Sequence, residues 1–337
     1  MKVKYLFFIV LFCVLKTYSQ TVSGVVIDSN TNQPIEGASV YFDNTTVGTI
    51  SNEQGLFNIQ KPTAVTSPLV ISFLGYKKQV ISGYSPDEKL SVLLVEDISA
   101  LNEVFLVSKD SWSRERKMKE FKTSFFGISK NALSCEILNE DDIRLQFLED
   151  QNKLVASATV PLIIMNKKLK YQIQYDLQDF EIDYNYQVEL DSYFASSVYY
   201  AGTMFYTSES NSRNIVRRRI KAYKGSVLHF MRSLLEEKLK ENKFILLFNG
   251  REVLAENFIS VSNTDNPSIF QVELHQPLTV VSENDIEKNS VITSSETYFY
   301  LDRNGNHMPA DALIFKGYFG NNRVGDTLPL DYQQDEK

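Results

Sequence analysis

The chain has 337 residues, 43% apolar and 23% charged, with 14 Gly and 9 Pro. That composition excludes collagen-like, low-complexity and wholly disordered chains, and the length suits two domains, each with its own core. A net charge of −7 argues against a chain devoted to nucleic acid, and three His with two Cys leave few of the usual nucleophiles, bases and metal ligands.

Lys2 and Lys4 precede an apolar run from Tyr5 to Leu15, and Lys16 to Gln20 turns polar with small residues at Thr17 and Ser19. This is the layout of a secretory signal peptide over residues 1–19. The run is 11 residues long, against about 20 for a membrane span. An uncleaved N-terminal anchor is the competing reading. Cys13 does not make a lipoprotein signal, because Phe12 is bulky where a small residue is needed. Cleavage after Ser19 removes Lys2, Lys4 and Lys16 and takes the net charge from −7 to −10. Only Cys135 then remains, so the mature chain has no internal disulfide and rests on core size. No later apolar stretch reaches membrane length, so no transmembrane span is expected in the mature chain.

Residues 20–96 read as short strands separated by turns. Val22–Asp28, Ala38–Phe42, Leu56–Ile59, Leu69–Phe73, Lys78–Ile81 and Leu90–Val95 are apolar or β-branched. Clusters at Ser29–Pro34 and Ser51–Gly55 punctuate them, with Asn52 suited to an Asx turn and Gly55 to positive φ. The pattern predicts a β-sandwich. Gly24, Asp28, Pro34-Ile35-Glu36-Gly37-Ala38, Gly48-Thr49, Gly55-x-Phe57 and Gly75-Tyr76 together resemble the carboxypeptidase regulatory-like domain, a transthyretin-like, Ig-like sandwich of Bacteroidetes envelope proteins. Asn52 stands where that family often has Asp. The resemblance implies a non-catalytic accessory module of the kind found beside peptidases and at the N-terminus of TonB-dependent transporters. Residues 97–110 are expected to be a linker, or a last strand over Ile98–Val107.

Residues 111–333 are expected to form a larger β-rich α+β domain, so the whole chain is expected to be mainly β. Ser111–Phe126 places Met118, Phe121 and Phe125 on one stripe with Gly127 as C-cap. Its basic face suits either a solvated helix surface or a membrane surface. Strands are expected over Ile143–Leu148, Lys153–Met165, Lys170–Tyr186 and Tyr193–Tyr206. Arg213, Arg217, Arg218, Arg219, Lys221 and Lys224 then make a dense basic run. It reads either as a charged edge strand or as a site for an anionic glycan, a lipid phosphate or an acidic partner. Ser226–Lys240 reads as a helix capped by Ser226, and Phe244–Phe248, Val253–Val261, Ile269–Leu274, Val280–Val281, Glu296–Leu301 and Ala312–Phe319 as further strands. Asn304-Gly305 predicts a type I′ hairpin between Tyr298–Leu301 and Ala312–Phe315. The blocks FFGISKNALSCEILN, AYKGSVLHFMRSL and YLDRNGNHMPADALIFKGYFGNNRVGDTLPLDY resemble an uncharacterised C-terminal region that accompanies this sandwich in Flavobacteria-type proteins. Lys170 stands where that resemblance leads one to expect Gly.

The chemical motifs come out empty. His229, His275 and His307 lie in contexts that supply no second zinc ligand, and neither a G-x-S-x-G elbow nor a phosphate-binding loop occurs. Cys135 reads as a buried thiol rather than half of a dyad. Asp302, Asn304 and Asn306 have calcium-loop spacing, but His307 stands where Gly is needed and Leu313 where Glu is needed. No cofactor and no metal is therefore expected, and no enzyme. The sequence points to an exported protein of a Gram-negative periplasm, outer membrane or cell surface that binds glycan or protein partners. A glycan or peptide hydrolase with its site in residues 111–333 is the alternative.

Overall fold

A computed structural model describes residues 21–62, 66–84, 89–97, 110–282 and 285–334. The expected signal peptide and nearly all of the expected linker lie outside the described residues. The protein is mainly β, and its buried side chains fall into three clusters.

The first cluster is the N-terminal sandwich. Strands β1 (Thr21–Asp28), β4 (Leu56–Gln60) and β7 (Lys89–Leu94) form one sheet, with β4 antiparallel and β7 parallel to β1. The facing sheet has the order β3 (Gly48–Ile50), β2 (Ser39–Phe42), β5 (Leu69–Ser72), β6 (Gln79–Ile81). Strict alternation in β1 buries Val22, Gly24, Val26 and Asp28, and the two valines meet Val40, Phe42, Leu69 and Ile71 from the other sheet. Gly24 is required there, because a Cβ would lie 2.5 Å from the Leu90 carbonyl oxygen. The Asx turn forms as the residues dictate. Asn52 Oδ1 accepts from the amides of Gln54 and Leu56, and Gly55 sits at φ +71°.

The second cluster is built on helix α1 (Arg114–Phe126) and a six-stranded sheet. Ser113 caps α1 by accepting from the Arg116 amide, and Gly127 ends it at φ +91°. The sheet contains β8 (Cys135–Ile137), β9 (Ile143–Leu148), β10 (Lys153–Ala158), β11 (Leu162–Asn166), β12 (Tyr171–Gln187) and β13 (Ser192–Ser208). Seventeen-residue β12 pairs with β13 along its whole length, and its other edge takes β11 near the start and β10 near the end. The stretch expected as one strand over Lys153–Met165 is therefore two. Thr159, Val160 and Pro161 interrupt it, and the proline cannot donate to a ladder. Phe121, Phe125, Tyr175 and Phe180 interlock beneath α1, and Trp112 stacks on Phe147 with centroids 4.0 Å apart.

The third cluster gathers α3 (Val227–Leu235) with two sheets. One runs β15 (Arg251–Val253), β14 (Phe244–Phe248), β18 (Leu278–Ser282), β19 (Asp285–Ser294), β22 (Leu313–Gly317). The other runs β16 (Ile259–Asn263), β17 (Ile269–Leu274), β20 (Phe299–Asp302), β21 (His307–Met308). A short helix, α4 (Tyr318–Asn321), follows β22. The expected hairpin needs correcting. β20 pairs with β21, while the stretch expected as its partner pairs with β19. Gly305 lies at φ +84° but Asn304 is not at positive φ, which excludes type I′. The Gly305 amide donates to the Asp302 carbonyl and the Asp302 amide donates to the Asn306 carbonyl. This is a three-residue loop, a turn closed by a left-handed glycine. The basic run is likewise not an edge strand. It forms helix α2 (Arg213–Tyr223), leading directly into α3.

Hydrogen bonds tie the clusters together. Asn44 donates its amide to the Met204 carbonyl (2.7 Å), Tyr206 donates to Thr45 (2.9 Å), and Asp43 Oδ1 accepts from the Met204 amide (2.8 Å). The segment after α4 crosses all three: the Val324 amide donates to Phe125, the Leu330 amide donates to Asn44, and Arg232 donates to the carbonyls of Leu330, Tyr332 and Asn304.

Candidate functional site

The six basic residues of the 213–224 segment divide by helical phase. Arg213, Arg217, Arg218, Lys221 and Lys224 are exposed, whereas Arg219 is buried at 4% exposure. The Arg219 guanidinium donates to the carbonyls of Leu169 (2.8 Å) and Lys170 (2.9 Å), to Asn211 Oδ1 and to Ser208 Oγ. It also lies 3.7 Å from the Tyr171 ring centroid. Its donors are spent on closing the β11–β12 turn, so it is not open to a ligand. The other five are exposed, Arg213, Arg217, Arg218 and Lys221 along α2 and Lys224 at its C-cap. Arg218 also reaches the Lys168 carbonyl at 3.4 Å.

The three histidines stay apart. His229 is buried, and its Nδ1 accepts from the Gly225 amide; desolvation pushes its pKa down to about 4. His275 pairs with Ser260 Oγ at 2.8 Å, and His307 is driven down to about 4 by desolvation. Cys135 sits below Asn131, its thiol pushed up to about 12 by desolvation. Asp302 uses both oxygens within the protein. Oδ1 accepts from the amides of Asn304 and Asn306, and Oδ2 from the amide and hydroxyl of Thr66. Among the described residues, no three His, Cys, Asp or Glu side chains are grouped to hold a metal ion.

A cleft of about 1020 Å³ lies where the sandwich meets the outer face of the middle sheet. Ser39, Phe73, Tyr76 and Lys78 come from the sandwich, Gln174, Asp176 and Gln178 from β12, and Thr159 to Pro161 from the β10–β11 connection. Two devices shape it. A salt bridge of 2.8 Å from Lys78 to Asp176 pins one wall to the other, with Lys78 also 3.4 Å from Thr203 Oγ1. A bulge between Leu177 and Asp179 makes Gln178 the extra residue of β12 and brings it to the cleft. The lining offers amides, hydroxyls, aromatic surface, Lys77, and two carboxylates, Asp97 and the Lys78-paired Asp176. That set suits hydrogen-bonded recognition of a polar ligand. Sequence reading missed these residues, because Lys78 and Asp176 are nearly a hundred positions apart. The visible signal was the Gln172, Gln174 alternation along the outer face of β12.

A family model for the CarboxypepD_reg-like domain matches residues 22–106. The N-terminal sandwich is a CarboxypepD_reg-like domain. The match covers about a quarter of the chain, and the CarboxypepD_reg-like domain supplies only the sandwich wall of the cleft. Over 87 residues the chain is 34% identical to the TonB-dependent receptor SusC of Bacteroides thetaiotaomicron, which is 26% of this chain and 8% of the receptor. The chain thus spans under a tenth of that relative's length. Among solved structures, a mutant type II cohesin–X-dockerin complex (Coh3ScaB–XDoc_M2ScaA) from Acetivibrio cellulolyticus is similar at 22% identity, with 33% of this chain and 76% of that chain covered and a TM-score of 0.21. A 9R-lipoxygenase from Cyanothece is similar at 11% identity over 60% of this chain and 44% of its own, with a TM-score of 0.17. Scores this low bear on neither fold nor function. Among the described residues no helix is long and apolar enough to cross a membrane.

Proposed function

We propose that this is an exported cell-envelope protein that acts by binding, with the cleft between the CarboxypepD_reg-like domain and the middle sheet as its ligand site. The observation that carries the reading is the cleft itself: a domain known as an accessory module is locked by Lys78–Asp176 and by Asn44, Thr45 and Asp43 so that it walls a polar, aromatic-lined space. The likeness of that domain to a stretch of the TonB-dependent receptor SusC supports an envelope location. Its partner is a glycan or an envelope protein segment rich in hydrogen-bonding groups. The exposed face of α2, with Arg213, Arg217, Arg218 and Lys221, and its C-cap Lys224 add a surface for an anionic group on the same partner or on its membrane.

Cell fractionation together with a glycan array and an immobilised outer-membrane extract tests this reading. The wild-type protein should fractionate with the envelope and retain a defined ligand. The Gln174→Ala/Gln178→Ala variant should lose at least tenfold in affinity with an unchanged melting temperature. A cytoplasmic location, or turnover of an envelope glycan or peptide by the purified protein, would contradict it.

A further inference from the structure

The positive charge of α2 does not end with the helix. Arg213, Arg217 and Lys221 stand four residues apart and so form a row along its exposed side, with Arg218 beside them. The buried Arg219 ties the helix to the β11–β12 turn by donating to the carbonyls of Leu169 and Lys170. Arg218 reaches the Lys168 carbonyl on the same turn, across 50 positions of sequence. Lys168 and Lys170, both half-buried, are thereby held against α2. The fold thus gathers six cations from two distant segments onto one surface. Among the described residues, none of the six is ion-paired. The acids that the backbone brings near are Glu136, which pairs with Lys167, and Glu209, whose amide donates to the Lys170 carbonyl. Like charges at i,i+4 spacing work against their own helix, and an anion laid across them relieves that.

We propose that α2 and the β11–β12 turn form a docking face for an anionic bilayer, their cations meeting the phosphates of its lipid headgroups. The proposal rests on the envelope location argued above and is independent of the cleft. Two observations select a lipid surface over an acidic protein. The first is that the patch has no apolar anchor: Val216 and Ile220 are half-buried, and no large apolar side chain of α2 or of the turn is exposed. Protein partners are gripped through aromatic or aliphatic anchors at the centre of the contact, whereas a plane of phosphates needs only charge. The second is sign. The chain carries a net charge of −7, so this patch runs against the rest of the molecule and turns it toward an anionic plane. Each cation brought to such a surface multiplies affinity about fivefold, and the attraction fades within a screening length of about 8 Å at physiological salt. The turn is locked to the helix by Arg219, so the six charges need no ordering on contact.

Co-sedimentation of the mature chain with vesicles reads the result. At about 50 mM salt the chain should bind mixed phosphatidylglycerol–phosphatidylcholine vesicles at least about tenfold more tightly than pure phosphatidylcholine, and about 500 mM salt should release it. Arg213→Gln/Arg217→Gln/Lys221→Gln should lose about 100-fold in affinity for the mixed vesicles with an unchanged circular dichroism spectrum. Lys89→Gln/Lys119→Gln/Arg251→Gln removes three exposed cations from β7, α1 and β15 and should bind as wild type does. Inorganic phosphate at constant ionic strength should leave vesicle binding unchanged. Absence of binding to the mixed vesicles, or an equal loss in the two triple variants, would overturn the proposal. So would displacement by inorganic phosphate, which would mark a discrete phosphate site, or tighter binding of polyglutamate than of vesicles, which would assign the face to an acidic protein segment. Fractionation decides the envelope location and vesicle binding decides this face, so the two readings fail separately.

Discussion

Arg219 and Lys170 show how much one residue can settle. Arg219 stands at a core-facing position of α2, where a pattern of apolar residues would have announced a helix. Ile215, Arg219 and Tyr223 share the buried face at helical spacing, and the arginine in their midst made the segment read as a charged strand. Arg219→Met should destabilise the protein by about 2–4 kcal/mol in a denaturant titration, because it strands the carbonyls of Leu169 and Lys170 and loses the contact with Tyr171. An effect below about 0.5 kcal/mol would mean these carbonyls find other donors. Lys170 sits at φ +56°, the left-handed conformation that suits the glycine expected there. Lys170→Gly should therefore stabilise by about 1 kcal/mol, the strain relieved outweighing the added chain entropy. A loss of stability on the same melt would show that the lysine side chain contributes more than its backbone costs.

At the scale of elements, what could be read was local. β9 and β17 form over the stretches that read as strands, and α1 carries its Met118, Phe121, Phe125 stripe inward. What failed needed partners distant in sequence. β19 is polar over much of its length and was missed, since it is defined by pairing with β18 and β22. The Asn304-Gly305 dipeptide signalled a turn correctly but not its type, because Asp302 draws the loop around its own carboxylate. Gly305→Val should cost about 1–3 kcal/mol, since φ is +84° and a Cβ would lie 3.1 Å from the Leu228 carbonyl oxygen. A thermal melt with and without chelator should coincide for the wild-type protein, because Asp302 already accepts four hydrogen bonds. A drop of several degrees on chelation would reinstate a calcium loop.

At the scale of the molecule, the decisive contacts join segments that no local pattern links, and the cleft was illegible for that reason. Asp43 is central among them. Desolvation at the junction raises its pKa to about 6, the hydrogen bonds from Met204 and Asn44 only partly offsetting burial. The folded state thus holds this proton more tightly than the unfolded chain, whose carboxyl titrates near 3.8. The contribution of Asp43 is fully present below about pH 4 and is lost as pH rises through about 6. Asp43→Asn keeps an acceptor for the Met204 amide without a charge. Its melting temperature should match wild type near pH 4 and exceed it at pH 8; a constant gap across that range would remove Asp43 from the account.

The cleft exists only if the CarboxypepD_reg-like domain is docked and not merely tethered. Hydrogen–deuterium exchange at the amides of Asn44, Met204 and Tyr206 tests this most directly, because each donates across the junction. Docking predicts exchange as slow as that of the strands of the middle sheet. Exchange at those three amides as fast as in exposed loops, with the strands of both bodies still protected, would contradict a fixed cleft and the function built on it.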